Sequence, residues 1–262
     1  MTGARLDGKV AVITGAGGGL GGAMVLACAR EGAAVVCQDL REEAAHASAD
    51  AVIAAGGAAL AWACDVTDSA AIEEMFDAAS AQLGTVNVLV NNAGVQHVPG
   101  DGGPELSGLA QLAAMTDESW RAMLDIHLGG AFFCSRAMIS RLLDSGDGGG
   151  GSIICISSIA PLTGYGPIHY SAAKMGLIVF VRSLAVYGGR QGIRANAICP
   201  GMIITPMTAA EAENQEWMRK RTPLGRVGLP EDIAPLVVYL ASDESSFVTA
   251  QSISPNGGVV AH

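Results

Sequence analysis

The feature that most constrains the fold is an N-terminal apolar run that leads directly into a glycine-rich turn. Residues 10–13 read Val-Ala-Val-Ile, as expected of a parallel strand buried on both faces. Residues 14–21 read Thr-Gly-Ala-Gly-Gly-Gly-Leu-Gly, a helical run continues to Arg30, and Asp39 ends the next apolar strand. This order is typical of a dinucleotide-binding fold, in which a pyrophosphate lies on the helix N-terminus and the acid bonds a ribose hydroxyl.

Strand and helix patterns alternate along the whole chain, which predicts right-handed βαβ units and a parallel sheet. Half of the residues are hydrophobic and 15% are charged, as suits a sheet covered on both faces. We predict an α/β chain with one Rossmann domain over 1–262 and a doubly wound, mostly parallel seven-stranded sheet with helices on both faces. The strands are predicted near residues 10–14, 34–39, 59–64, 86–91, 152–157, 194–199 and 251–255.

Polar residues gather where these strands end. Thr14, Asp39, Asp65, Asn91 and Ser158 each lie at or just after the end of a different predicted strand. The carboxyl ends of parallel strands meet at one edge of the sheet, and ligands of open α/β folds bind there. The sequence therefore predicts a polar cleft at this edge.

Tyr170 and Lys174 form a Tyr-x-x-x-Lys pair on a helical stretch after the fifth strand. Residues four apart share a helix face, so the lysine ammonium is expected beside the phenol. A nearby positive charge favours the phenolate and lowers the pKa of a tyrosine. The pair is therefore a candidate for general acid–base catalysis.

In order along the chain, these motifs resemble those of the short-chain dehydrogenase/reductase family. The resemblance covers residues 6 to 258, and its other motifs are Asn91-Asn92-Ala93-Gly94, Ser157-Ser158, Pro200-Gly201-Met202-Ile203-Ile204-Thr205, Pro223-Leu224-Gly225-Arg226, Pro230-Glu231-Asp232-Ile233-Ala234 and Asn256-Gly257-Gly258. The resemblance implies hydride transfer between a nicotinamide dinucleotide and a secondary alcohol or ketone. It implies that Tyr170 moves the proton, that Lys174 lowers the tyrosine pKa and bonds the nicotinamide ribose, and that a serine holds the substrate oxygen.

The resemblance also implies which residues contact the cofactor. They are Gly15, Gly18, Gly19, Leu20, Gly21, Asp39, Asp65, Val66, Asn92, Gly94, Ser157, Tyr170, Lys174, Pro200, Ile203 and Thr205. The expected cofactor is NAD, because Asp39 would repel a 2′-phosphate and neither Leu40 nor Gly18 is basic. Arg41 is the one discordant residue, since it has the charge to cover such a phosphate.

Two positions depart from the family pattern. The usual spacing of thirteen residues before the tyrosine indicates Ser157 as the substrate serine, whereas the strand pattern indicates Ser158 with one residue deleted from the loop; we favour Ser158. His127 stands where the family has an asparagine that helps to hold a water linking the lysine to solvent. Its imidazole either joins that proton relay or is packed, leaving a backbone carbonyl to bind the water.

The expected substrate is a bulky apolar or alicyclic alcohol or ketone. A helical insertion near 202–222 carries Met202, Met207, Trp217 and Met218, side chains suited to a broad apolar pocket or to packing on a neighbouring subunit. The loop near 95–117 is longer than is usual for the family, and loops of such length are often functional or mobile.

Net charge, apolar run length and cysteine usage limit the partners that we expect for this chain. A net charge of −10 argues against nucleic acid. We expect no membrane partner, because no uninterrupted apolar run reaches about 18 residues. The six scattered cysteines indicate buried thiols in the cytoplasm, and no histidine spacing indicates a metal. Family resemblance implies a homotetramer. The alternatives are a catalytically silent dinucleotide-binding protein and an S-adenosylmethionine methyltransferase, which would not explain Tyr170 and Lys174.

Overall fold

Seven parallel strands form the sheet in the computed structural model, which describes residues 4–103, 105–145, 150–209 and 212–260. They are β1 (Val10–Thr14), β2 (Ala34–Asp39), β3 (Ala59–Ala63), β4 (Val88–Asn91), β5 (Gly151–Ile156), β6 (Ile193–Ile198) and β7 (Ser252–Ile253). The sheet order is β3-β2-β1-β4-β5-β6-β7, and every neighbouring pair is parallel. The predicted doubly wound sheet is confirmed, although the predicted domain limits at 1 and 262 lie outside the described residues.

Helices cover both faces of this sheet. The helices are α1 (Gly19–Arg30), α2 (Glu42–Ala54), α3 (Ser69–Leu83), α4 (Gly108–Ala114), α5 (Asp117–Leu124), α6 (Gly130–Asp144), α7 (Ala160–Thr163), α8 (Ile168–Gly188), α9 (Ala212–Arg221) and α10 (Pro230–Ala241). One apolar core lies between the sheet and α1, α2 and α10. A second core lies between the other face and α3, α6 and α8.

The apolar run of β1 is continuous because this central strand is buried on both faces. Ala11 and Ile13 contribute to the core under α1 and α10, whereas Val10 and Val12 contribute to the opposite core. Successive side chains of a strand point to opposite faces, so each core takes alternate residues. Burial on both faces therefore fixes the position and register of β1. The glycine turn that follows it is placed at the carboxyl edge of the sheet.

The strand order reverses between β1 and β4, which are neighbours although two strands separate them in sequence. The helices that follow these two strands leave on opposite faces, so a crevice opens at their carboxyl ends. The register pairs Ile13 with Val90, which brings the turn after β1 beside the residues after β4. The candidate site occupies this crevice.

The predicted insertion near 202–222 contains helix α9. Residues 210 and 211, which precede this helix, lie outside the described residues. The loop near 95–117 is not wholly irregular, because α4 forms within it. The sequence pattern did not predict α4, whose seven residues are too few to display a clear helical period.

Helix α8 and its short 3₁₀ extension, Ile168–Gln191, form the one helix among the described residues that is long and apolar enough to cross a membrane by length and composition. The sequence contains no uninterrupted apolar run of that length because Tyr170, Lys174 and Arg182 interrupt this helix. α8 packs on the sheet through Leu177 and Val181. This buried face accounts for part of its apolar character, and Val179, Val186 and Tyr187 on the other face are exposed.

Candidate active site

The glycine turn leaves the N-terminus of α1 open. Gly18 is the N-cap, with φ of 144°, and no side chain caps the first backbone N–H groups of the helix. A Cβ on Gly17 would collide with Ala44 and with the Asp39 carboxylate, and one on Gly21 would collide with the Gly15 carbonyl. The turn is therefore bare backbone presenting N–H donors, which fits an anionic pyrophosphate.

Thr14 and Asn92 fix this turn to the end of β4. The Thr14 hydroxyl accepts hydrogen bonds from the backbone N–H groups of Asn92 and Ala93, both at 3.0 Å. The Asn92 amide donates to the carbonyls of Thr14, at 2.9 Å, and Gly15, at 3.1 Å. Thr14 is buried and its partners are part-buried, so these bonds tie the two strand ends together.

Asp39 lies beside the same turn. Its Oδ2 accepts the Gly17 N–H at 2.9 Å, and its Oδ1 accepts the Arg41 N–H at 3.0 Å. The Arg41 guanidinium is exposed, with Nε 3.7 Å from Oδ1 of Asp39. The carboxylate is thus held beside the glycine turn by two backbone N–H groups.

The two serines after β5 have different environments. Ser157 is buried, and its hydroxyl donates to the backbone carbonyl of Lys174 at 2.8 Å. The Ser158 hydroxyl accepts the Ala160 N–H at 3.0 Å, and its interaction with the Tyr170 phenol acts to lower the tyrosine pKa. Both serines line the cleft, but Ser158 is the one beside the tyrosine hydroxyl.

Burial dominates the electrostatics of Tyr170 and Lys174. It raises the pKa of Tyr170 above its ordinary value, and the hydrogen bond with Ser158 opposes that rise. It lowers the pKa of Lys174 to about 8, with the thiols of Cys155 and Cys199 acting in the opposite direction. The Tyr-x-x-x-Lys spacing predicts that Lys174 lowers the pKa of Tyr170. The structure shows no such effect, because burial of the phenol dominates and the Lys174 Nζ donates to the Ile156 carbonyl at 2.7 Å.

His127 lies in a π-helical turn, Asp125–Gly129, between α5 and α6. The imidazole is buried, and its Nε2 is 2.8 Å from the Val95 carbonyl oxygen. Burial, followed by the charge of Lys174, lowers the pKa of His127 to about 3. The ring contacts Tyr170 edge-on, with centroids 5.5 Å apart, and would collide with any Cβ on Gly94. It is neutral around pH 7 and packed into the site.

A cleft of about 340 Å³ brings these groups together. Most of the predicted site residues line it: Gly15, Gly18, Gly19, Leu20, Gly21, Asp39, Asn92, Gly94, His127, Ser157, Ser158, Tyr170, Lys174, Pro200 and Thr205. Three predicted residues do not. The Asp65 carboxylate caps the turn at Thr67, Val66 packs against Gly130 of α6, and Ile203 lines an adjoining cavity.

The cleft also contains residues that were not among the predicted catalytic and cofactor contacts. They are Gly17, Arg41, Ala93, Val95, Ile156, Gly201, Pro206 and Met207. Most of them neighbour a predicted residue in sequence, and this adjacency could have identified them. Ile156 also neighbours a predicted residue, Ser157, but its contribution is a backbone carbonyl that accepts from Lys174, which no side-chain pattern indicates.

A second cavity, of about 300 Å³, adjoins Ser158 and Tyr170. The methionines and tryptophan that suggested an apolar pocket, Met202, Met207, Trp217 and Met218, all line it. Ile159, Tyr165, Pro167 and Val259 add further apolar surface. The lining also includes the polar side chains of Gln96, Asn214 and Arg221, so the cavity places a broad space with both apolar and polar walls next to the serine and tyrosine hydroxyls.

Comparison with known proteins identifies the family. A model of the enoyl-(acyl carrier protein) reductase family matches residues 15–260. The chain is 36% identical to the 3-oxoacyl-(acyl-carrier-protein) reductase of Thermotoga maritima, covering 98% of this chain and 99% of the relative. It is 35% identical to the meso-2,3-butanediol dehydrogenase of Serratia marcescens, covering 98% and 96%. The chain belongs to the short-chain dehydrogenase/reductase family.

Structural similarity agrees with this family. The crystal structure of a short-chain type dehydrogenase/reductase from Mycobacterium marinum matches with a TM-score of 0.88 and 31% identity over 98% of each chain. Members of this family are oxidoreductases that interconvert alcohol and carbonyl groups with a nicotinamide dinucleotide. A methyltransferase, one alternative suggested by the glycine turn alone, is excluded by this membership.

Proposed function

We propose that this short-chain dehydrogenase/reductase interconverts a secondary alcohol and a ketone with NAD. The observation that carries the proposal is the meeting of Ser158 and Tyr170 at the junction of two spaces. One is the cleft over the glycine turn, and the other is the apolar cavity. A substrate oxygen bonded to both hydroxyls has its carbon facing the cleft.

Each residue has a distinct part in the proposed reaction. Ser158 donates a hydrogen bond to the substrate oxygen and orients it. Tyr170 takes the proton of an alcohol, or gives one to a ketone oxygen. Lys174, buried behind the tyrosine, bonds the ribose next to the nicotinamide. The bound nicotinamide supplies the ring carbon that exchanges hydride with the substrate carbon.

The choice of NAD over NADP rests on Asp39. Its carboxylate is held beside the glycine turn by two backbone N–H groups, so a 2′-phosphate on the adenosine ribose would face a negative charge. At about 4 Å in a partly exposed site, two like charges repel by up to about 4 kcal/mol. The Nε of Arg41 lies 3.7 Å from the same carboxylate, and this ion pair draws the guanidinium charge toward Asp39.

The proposed substrate class is a bulky apolar or alicyclic alcohol or ketone. Its support is the cavity beside Ser158, where Met202, Met207, Trp217 and Met218 supply flexible and aromatic walls. The relatives include a 3-oxoacyl-(acyl-carrier-protein) reductase, a meso-2,3-butanediol dehydrogenase and a D-threitol dehydrogenase, so the family alone does not select a substrate.

His127 is proposed to be a packing residue with no part in proton transfer near neutral pH. Its pKa of about 3 keeps the imidazole neutral, and its Nε2 is engaged by Val95. The surrounding π-helical turn supplies the local distortion that frees a helical carbonyl to bind a water. Any relay from Lys174 then runs through that carbonyl.

We further propose a cytoplasmic homotetramer. Helices α6 and α8 carry large apolar side chains that are exposed in the single chain, including Phe132, Leu143, Val179, Val186 and Tyr187. Pairing of these helices with a second copy would cover this surface. The six cysteines form no disulfide in the described structure and five are buried, in keeping with a reducing compartment.

The proposed function is tested by mixing the protein with NAD and a panel of secondary alcohols and following the ultraviolet absorbance of reduced nicotinamide. Turnover of alicyclic alcohols in preference to short linear ones supports the proposal. If the protein binds NAD but neither oxidises any alcohol nor reduces any ketone with NADH, the catalytically silent alternative is favoured.

A further inference from the structure

Asp101 is a buried carboxylate in the long loop after β4, and it lies outside the motifs of the family. It is 1% exposed. It accepts the backbone N–H groups of Gly103, at 2.8 Å, and Val98, at 3.1 Å, and the Nδ1 of His97 lies 2.9 Å away. A carboxylate is rarely buried unless it is paired in this way.

The same carboxylate reaches the helix that carries Tyr170. His169 precedes the tyrosine in the first turn of α8, is fully buried, and has its Nε2 3.3 Å from Oδ2 of Asp101. Neither ring nitrogen of His169 forms a hydrogen bond of good geometry within the described residues. Asp101 is therefore the polar group that faces this imidazole, and it bridges the loop and the catalytic helix.

Asp101 carries a negative charge in this position. Burial opposes ionisation, but the N–H groups of Gly103 and Val98 and the contact with His97 outweigh it and hold the pKa of Asp101 below its ordinary value. Burial lowers the pKa of His169, and the Asp101 charge opposes that change. The negative charge is thus compensated from the loop side by backbone donors and His97, and it faces His169 on the other side.

The loop held by Asp101 forms a wall of the space in front of Tyr170. Gln96 lines both the apolar cavity beside the tyrosine and a wider cavity beyond it. His97 and Gln111 line only the wider cavity. The positions of these side chains depend on the loop, and Asp101 is its buried polar anchor.

We propose that Asp101 is a positioning residue that joins this wall, through His97 and His169, to the first turn of the Tyr170 helix. It sets the distance between the substrate wall and the tyrosine hydroxyl without touching the reacting atoms. The catalytic consequence rests on the proposed function, whereas the mechanical link between loop and helix does not.

The mechanical link is tested by hydrogen exchange of backbone amides in Asp101→Ala, with Asp117→Asn as the control. Asp117 is an exposed acid that follows the same loop. We expect faster exchange in peptides covering 95–103 and 168–175 of the Asp101 variant and unchanged exchange in β1 and α10. Unchanged exchange at 168–175, or uniformly faster exchange everywhere, would overturn the proposal.

The catalytic consequence is tested with cyclohexanol and NAD. Asp101→Ala should lower kcat about 10–100-fold, because small misplacements of a catalytic group are costly, while the Kd for NAD is unchanged. Asp101→Asn, which keeps the shape, should recover part of kcat. His97→Ala removes only the loop-side partner and should raise KM more than it lowers kcat. Equal loss of NAD binding and kcat, or no change in either constant, would overturn the role.

The two tests separate failure of this inference from failure of the proposed function. A wild-type protein that turns over no alcohol contradicts the proposed function, yet the exchange measurement still decides whether Asp101 couples loop and helix. If Asp101→Ala does not fold, His97→Ala and Asp101→Asn provide the same comparison, since each retains part of the buried contact.

Discussion

The hydroxyl of Ser157 donates a hydrogen bond to the backbone carbonyl of Lys174, 2.8 Å away. This bond joins the end of β5 to the catalytic helix and commits Ser157 to a structural contact. The hydroxyl of Ser158, its neighbour, faces Tyr170. A deletion in the loop before the tyrosine, which the sequence left as one of two alternatives, is consistent with this arrangement.

The two serine hydroxyls should therefore have separable roles. Ser158→Ala is expected to lower kcat/KM by about 10²–10³-fold, the usual cost of one lost hydrogen bond to the reacting oxygen. Ser157→Ala is expected to lower stability by about 1 kcal/mol, because the Lys174 carbonyl loses its buried donor, with a smaller loss of rate. Steady-state kinetics and urea unfolding of both variants measure this. The reverse order of kinetic effects would restore Ser157 as the substrate serine.

Cofactor preference should follow the charge of Asp39. The wild-type kcat/KM is expected to be higher with NAD than with NADP. Asp39→Asn should narrow that difference, because the amide keeps an acceptor near the glycine turn but does not repel a phosphate. Arg41→Gln serves as the control and should widen the preference slightly. A wild-type protein that prefers NADP would contradict the assignment.

His127 should influence the acid stability of the protein more than its rate. Its folded pKa of about 3 lies below the ordinary 6.5, so the unfolded chain binds more protons than the folded protein between these values. Stability is therefore lost as pH falls through 6.5, by about 2 kcal/mol at pH 5. Denaturant unfolding should show a steeper loss from pH 7 to pH 5 for wild type than for His127→Asn.

The pH dependence of kcat tests whether His127 carries protons. If the imidazole is only packed, His127→Ala and His127→Asn should keep the wild-type pH dependence of kcat, whatever their absolute rates. An ionisation near neutral pH that is present in wild type and lost in His127→Ala would show that the imidazole carries protons.

The sequence predicted those parts of the protein that depend on local pattern. The seven strands and the glycine turn were predictable, because buried strands appear as short apolar runs and the turn between strand and helix is rich in glycine. The crevice was predictable as well, since strand order determines which polar strand ends meet.

The parts that the sequence did not predict depend on contacts between distant residues. The pairing of Asp101 with His169 joins positions 68 residues apart, and no local spacing signals it. The sign of the Tyr170 pKa shift depends on how deeply the phenol is buried, which the Tyr-x-x-x-Lys spacing does not specify. Asp65 lies at the carboxyl edge of the sheet, as predicted, but its carboxylate accepts hydrogen bonds from the backbone N–H and hydroxyl of Thr67.

The oligomer should depend on the exposed apolar side chains of α6 and α8. We expect a light-scattering mass of four 26.5 kDa chains for the wild type. Tyr187→Asp places a charge on the α8 surface and should shift the mass to a smaller species. Leu109→Asp, at an equally exposed leucine of α4, is the matched control and should stay tetrameric. A wild-type mass of one chain would refute the tetramer.

The most direct test of the account is the rate of NAD reduction by Tyr170→Phe with an alicyclic secondary alcohol, alongside NAD affinity and thermal stability. Tyr165→Phe is the matched control, because it removes a phenol hydroxyl from the same cavity without touching Ser158. We expect Tyr170→Phe to stay folded, bind NAD like the wild type and lose about 10²–10⁴-fold in kcat, while Tyr165→Phe keeps its kcat. A Tyr170→Phe enzyme that retained most of its turnover would contradict the central claim.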